Sequence, residues 1–362
     1  MDRVELTGGV EANAYYISKH MSKKNKVVVV CSYQKGLKRH QKNGNLEVYR
    51  VGPEHQYTNE GAVLTRFMFA RSAYKFAKNL EKGDVVVGSS FISYLPACRA
   101  AKKLKIPAIA IYHETWIGEW IKNKGLITGT LGNIWERMIL MSKWDKIISV
   151  SEFTKKRLSC MVDEKKIVVI PNGIDLSSFK KIKVKKNKNP TLISIGRLTK
   201  KKRIADLINA IPIIKKEIPK IKLTIIGKGP ELENLKCIAN NGVTFKGFIK
   251  NRDSVIKYLK ESHVLVAPSV LEGFGIVLLE SMASSIPYVC SDIGPFIEVT
   301  KKGKGGLIFK KEDHIDLAEK VIKLLKNKKL YASKVKEAEK LVKEYDWSKI
   351  SKQVEHVCEE VL

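Results

Sequence analysis

Cysteine is sparse in this sequence. Six residues are scattered 53 to 77 positions apart along 362, with no CxxC pair. That spacing builds neither a zinc site nor a disulfide framework, so Cys31, Cys98, Cys160, Cys237, Cys290 and Cys358 read as small apolar core residues in a reducing cytosol. Long apolar runs are missing too. No stretch reaches the roughly 18 residues a membrane span requires, and the start, with acids at Asp2 and Glu5, has no apolar segment of signal-peptide type. The expectation is a cytosolic chain whose membrane contact, if any, is peripheral. Proline is scarce at 11 residues and 44% of the chain is hydrophobic, which excludes disordered and collagen-like classes.

Acids are outnumbered, 37 against 67 bases, for a formal net charge of +30. The excess runs through both halves, +13 up to Asp175 and +17 beyond it, so no basic tail or single nucleic-acid module stands out. Arginine supplies 11 of the 67 bases. Lysine-dominated charge suits solubility, hot environments or attraction to anionic lipid and phosphates, not bidentate base reading. Nucleic acid is therefore not an expected partner.

What is present is a regular alternation. Short β-branched runs fall at 26–32, 46–51, 84–88, 107–112, 146–150 and 167–170. A second series falls at 191–195, 222–227, 243–246, 263–267, 287–291 and 306–309. Nearly all are uniformly apolar, the mark of strands covered on both faces of a parallel sheet. Helical patterns lie between them, as at 10–21, 65–80, 204–215 and 317–325. Repeated βα units predict α/β architecture with two doubly wound, Rossmann-like domains. The boundary follows the Pro171–Asp175 turn: domains at 1–175 and 176–346, joined through a linker at 176–190. That linker carries six lysines between Lys180 and Lys188 and is expected to be solvated. Residues 347–362 carry a helical apolar stripe at Ile350, Val354, Val357 and Val361.

The segment VAPSVLEGFGIVLLESMASSIPYVCSD, 266–292, is the richest in chemistry. A strand ends at Ser269, a glycine-punctuated loop carries Glu272, and a helix starts at about Ile276. Glycines let backbone approach a ligand, and unsatisfied first-turn amides with the positive end of the helix dipole make a phosphate seat. Glu280 lies one turn in, its Cβ tilted back towards that end. A carboxylate there can accept from sugar hydroxyls while Glu272 faces the same ligand from the loop. Alternatively, Glu272 is a solvated loop acid and Glu280 a helix-surface acid, although Leu278, Leu279, Met282 and Ala283 make that face apolar.

Glu272 to Glu280, within EGFGIVLLESMA, resembles the EX7E signature of family 4 glycosyltransferases with the GT-B fold. The likeness extends to ISIGRLTKKKRIADLINA at 193–210, IIGKGPELENL at 225–235, ISVSEFTKKRL at 148–158, VIPNGID at 169–175 and the GGVE loop at 8–11. It covers essentially the whole chain in order. It implies two Rossmann-like domains facing a central cleft, with a C-terminal helix, 347–362, returning to the N-terminal domain. It implies that Arg197 and Lys202 grip the donor diphosphate without a metal or other cofactor, Glu280 holds ribose hydroxyls and Glu272 the transferred sugar. By the same resemblance Phe274, Gly275, Ile276 and Val277 line sugar and phosphates, and Gly247, Phe248 and Ile249 lie along the base. Gly9 and His113 close over the reacting sugar as the domains come together.

Arg203 stands where the family usually has glycine, and Glu114 where aspartate is commoner. Met1–Thr7 are too short and polar for the strand that normally precedes the GGVE loop, so either the start lies downstream of the true one or the first domain lacks its central strand. Trp116, Trp120 and Trp135 read as packing rather than as an acceptor platform. The resulting expectation is a retaining, metal-independent hexosyltransferase moving a sugar from a nucleotide-diphosphate donor to a hydroxyl acceptor. The basic surface suits a lipid-linked or glycolipid acceptor at an anionic inner membrane face. Competing readings are a GT-B nucleotide-sugar epimerase or phosphorylase and a non-catalytic nucleotide-sugar binder.

Overall fold

The structure is a computed structural model that describes residues 8–54, 63–81 and 83–362; the short stretch 1–7 lies outside them. The chain divides into two compact units, Met1–Pro171 with Trp347–Leu362, and Asn172–Asp346. The division falls ahead of the Asp175 turn read from the sequence. Ile174 N–H bonds the Tyr345 carbonyl at 2.7 Å, which ties the turn to the second unit.

Thirteen strands are present among the described residues. In the first unit β1 (Val27–Ser32), β2 (His40–Asn43) and β3 (Leu46–Val51) form a sheet in the order β1-β3-β2. β4 (Val86–Gly88), β5 (Ala108–Tyr112), β6 (Lys146–Ser149) and β7 (Ile167–Val169) form a separate parallel sheet in sequence order. β5 is buried at every position, as its unbroken apolar sequence requires. β1 is as apolar but only half-buried throughout, because it ends its sheet with one neighbour, β3. β2 escaped the sequence reading: its residues, HQKN, have no apolar pattern, and it pairs antiparallel with β3 across a two-residue turn containing Gly44 at φ +59°.

The second unit holds one parallel sheet of β8 (Thr191–Ile195), β9 (Lys222–Ile226), β10 (Val243–Phe245), β11 (Val264–Ala267), β12 (Tyr288–Ser291) and β13 (Gly306–Phe309). Its order is β10-β9-β8-β11-β12-β13. The sequence runs outward in both directions from β8 and β11, so their shared carboxyl end is the switch point at which open α/β sheets bind ligands.

Two sequence expectations are corrected. The 176–190 segment is not simply solvated: Leu176–Lys181 is a helix that buries Phe179, and Asn187 N–H bonds the Glu261 carbonyl at 2.8 Å. The Lys186 ammonium donates to the Ser262 carbonyl at 2.5 Å, and Lys260 Nζ donates to the Ile182 carbonyl at 2.9 Å, so the lysine-rich stretch is pinned along its length. The cysteines are not uniformly core residues either. Cys290 and Cys358 are buried, Cys31 and Cys98 half-buried, and Cys160 and Cys237 exposed; all six are free thiols. No helix among the described residues is long and apolar enough to cross a membrane.

Candidate active site

At the switch point, three turns in the second unit must pass within touching distance. Gly196 N–H bonds the Ile226 carbonyl at 3.0 Å, and Gly227 N–H bonds the Gly247 carbonyl at 2.8 Å. A Cβ on Gly227 would sit 1.8 Å from the Gly196 carbonyl oxygen, so only glycine allows β8 and β9 to end this close together. The loop after β8 then carries Arg197 and a short 3-10 turn, Lys200–Lys202. The loop after β11 carries Ser269 and Glu272 and leads to Gly275 at φ +100°, which begins the helix Ile276–Ala283. A Cβ at Gly275 would also strike the Phe296 ring at 2.6 Å.

The two loops enclose a recess whose lining includes Gly196, Arg197, Lys202, Ser269, Glu272 and Val277. Within it the Lys202 Nζ is bonded to Glu272 Oε1, and Ser269 Oγ donates to the same oxygen at 2.9 Å. Among the described residues nothing hydrogen-bonds or ion-pairs with the Arg197 guanidinium, although the residue is half-buried at the end of an apolar strand. A guanidinium held part-way out of water beside a lysine, near the start of a helix, is an arrangement suited to an anion. The buried Thr199 Oγ, between the two cations in sequence, is likewise unsatisfied among the described residues.

The remaining expected residues are placed unevenly. Glu280 lies outside the recess lining, 7% exposed, with Arg252 Nη2 at 2.6 Å from its Oε1. It is thus a buried carboxyl group paired with a cation of the same unit, not an exposed helix-surface acid. Phe274 is buried edge-on against Tyr345, Ile276 is half-buried, and Val277 reaches the recess. Gly247 opens the turn after β10 at φ +64° with open space where a Cβ would go. Phe248 follows, 47% exposed beneath the Lys228 ammonium, and Ile249 is half-buried. Ser269 and Arg252 were not found by sequence reading. Ser269 closes β11 and could have been singled out by position; Arg252 meets Glu280 from 28 residues away and carries no local signal.

Two residues expected over the sugar belong to the first unit. Gly9 is not in a loop but is the first residue of the helix Gly9–Met21. His113 follows β5 directly, its Nε2 3.4 Å from Ser89 Oγ, and burial lowers its pKa to about 4. The next turn is fixed by a carboxylate absent from the sequence reading. Glu136, fully buried on the helix Leu126–Leu140, accepts from Thr115 Oγ at 3.0 Å, Trp116 N–H at 3.1 Å, Trp120 Nε1–H at 2.6 Å and Tyr112 Oη at 3.3 Å. Trp116 and Trp120 pack on each other at 5.3 Å, in keeping with a packing role. Among the described residues no three His, Cys, Asp or Glu side chains gather as metal ligands would.

A Glycosyltransferase Family 4 model matches residues 7–178, and a model for Glycosyl transferases group 1 matches residues 177–341. The chain belongs to the family 4 glycosyltransferases. An uncharacterized glycosyltransferase of Methanocaldococcus jannaschii is 28% identical over 380 residues, 97% of this chain and 94% of the relative. A phosphatidyl-myo-inositol mannosyltransferase of Mycobacterium leprae is 32% identical over 201 residues, and the match spans 54% of each chain. The solved structure of Anabaena HepE in complex with UDP-glucose matches with a TM-score of 0.76 at 16% identity, over 99% of this glycosyltransferase and 98% of that chain. The fold is GT-B, as in the glycosyltransferase structures it resembles.

Proposed function

We propose that this glycosyltransferase is a retaining, metal-independent hexosyltransferase that uses a nucleotide-diphosphate sugar and a hydroxyl acceptor of lipid-linked or glycolipid type. The observation that carries the donor reading is the unpartnered Arg197 guanidinium beside Lys202 at the switch point of the second unit's sheet. The diphosphate lies against these two cations and the amide end of the helix Ile276–Ala283, displacing Lys202 from Glu272. Glu272, so released, takes the hydroxyls of the transferred sugar. Glu280, paired with Arg252, takes the ribose hydroxyls, and the Gly247–Ile249 turn lies along the base. The anomeric carbon–oxygen bond breaks with its electron pair passing to the diphosphate, whose growing charge Arg197 and Lys202 neutralise. The acceptor oxygen forms the new bond on the same face as its proton passes to the departing diphosphate oxygen. The roles of His113 and Gly9 towards the sugar, and the retention of configuration, rest on the family resemblance. The lipid character of the acceptor draws support from the basic surface and from a relative named for a phosphatidyl-inositol substrate.

Thermal melting with UDP, GDP, ADP and their sugars tests the donor site. A ligand at about 100 times its dissociation constant should add roughly 2.7 kcal/mol. One nucleotide series should stabilise the wild type, and Arg197→Ala and Lys202→Ala should each remove most of that gain. The anomeric configuration of the product formed in chelator, read by NMR, tests retention and metal independence. Equal stabilisation of both variants would remove the donor assignment.

A further inference from the structure

The helix Leu126–Leu140 has its polar and apolar sides arranged against expectation. Its inner side holds the buried Glu136, Ile139 and Leu140, and the Glu136 carboxylate ties it to the turn after β5. Its outer side presents Leu126, Ile127, Leu131, Ile134 and Met138, continued by Met141 just beyond its end, all 47–78% exposed. Positions 127, 131, 134, 138 and 141 recur at intervals of three and four, so they form one ridge along the helix. Six large apolar side chains on one helix make a contiguous patch, not scattered exposure.

Within residues 121–144 the exposed charges are of one sign. Residues 121–144 contain Lys122, Lys124, Arg137 and Lys143, all exposed, and one acid, Glu136, sealed on the inner side. An apolar ridge on a segment whose exposed charges are all cationic is complementary to an anionic lipid surface, where side chains enter the acyl boundary and ammonium groups meet headgroups. A second copy of the chain is the poorer occupant. A two-fold contact across this ridge would bring the four cations of each copy together, in a chain already at +30.

We propose that the helix Leu126–Leu140 lies along the surface of an anionic bilayer and docks the first unit there. The proposal deepens the transferase reading and rests on it for one point only, that docking brings the His113 turn, held by Glu136, to a lipid-borne acceptor.

The test is flotation of the full chain, without donor or acceptor, on vesicles of phosphatidylcholine with and without phosphatidylglycerol. The wild type should float with the anionic vesicles and lose binding as salt is raised. The combined variant Ile127→Ser, Leu131→Ser, Met138→Ser should lower the bound-to-free ratio about tenfold or more. Lys122→Glu with Lys124→Glu should lower it as well, and neither variant should shift the melting temperature, since every changed side chain is exposed. No wild-type binding to anionic vesicles, or undiminished binding by the serine variant, would overturn the proposal. So would light scattering that finds a wild-type dimer which the serine variant dissociates. Nucleotide-induced stabilisation, measured on the same samples, responds to the second unit's recess alone, so failure of docking and failure of the donor site are told apart.

Discussion

His113 shows what its surroundings do to a single titratable group. Burial disfavours the imidazolium, and the Ser89 contact offsets only part of that, leaving a pKa of about 4 against an ordinary value of 6.5. Above pH 6.5 the ring is neutral in both folded and unfolded chains, and its contribution to stability is fully present. As pH falls through 6.5 the unfolded chain takes up a proton that the native state refuses. Stability therefore declines until about pH 4, by about 3 kcal/mol. Urea unfolding across that interval should show the slope, and His113→Asn should flatten it; an identical slope in the variant would assign it to other groups. The same low pKa means that any transfer step using His113 uses it as a neutral hydrogen-bonding ring at pH 7. Residues of this kind differ in how legible they were. Arg197 and Lys202 were legible through the resemblance of their segment to the family pattern, and Glu272 through the same resemblance and its glycine-punctuated loop after an apolar strand. The Arg252–Glu280 pair and the Glu136 clamp could not, because their partners are brought together only by the crossovers of the sheet.

Elements explain which departures from family pattern are tolerated. The twelve apolar runs all became strands, since uniform burial leaves few other structures available, whereas polar β2 could be recognised only through its pairing with β3. Arg203 occupies the left-handed region at φ +50°, which gives a physical reason for glycine to be usual there. Its guanidinium is held by Asp206 through bonds of 2.9 and 2.8 Å, which offsets part of that strain. The turns after β8 and β9 have no such latitude. Gly227→Ala would drive a methyl group into the Gly196 carbonyl, backbone against backbone, at a cost of about 3 kcal/mol. Gly247→Ala, at φ +64° with open space around it, should cost only about 1 kcal/mol. Denaturant midpoints compare the two directly. Because Gly227 sets the approach of the Arg197 turn, its variant should also weaken nucleotide binding more than the Gly247 variant does; the reverse order would show that the β9 turn does not shape the recess.

For the whole molecule, the decisive feature is that the chain enters the second unit after Pro171 and leaves it after Asp346 to finish in the first. The final helix, Trp347–Glu359, buries Trp347, Ile350, Val354 and Val357 against Ile17, Ile109, Ile111 and Ile148. Trp347 stacks on Tyr16 at 5.5 Å with the rings nearly parallel. The last sixteen residues thus complete the core of a unit whose other residues precede position 172, and they share no part of the recess lined by residues 194–277. Trp347→Ala should therefore act on one unit only. Loss of a side chain 2% exposed costs about 3–5 kcal/mol, enough to pull the first unit's melting well below that of the second. Calorimetry should resolve two transitions in the variant, and a saturating nucleotide should raise the upper one by the same amount as in the wild type. Hydrogen exchange should speed up in β5 and β6 while β8 and β11 keep their protection. A single transition, lowered as a whole and still shifted by nucleotide, would mean that the two units unfold as one cooperative body and that the returning helix stabilises both.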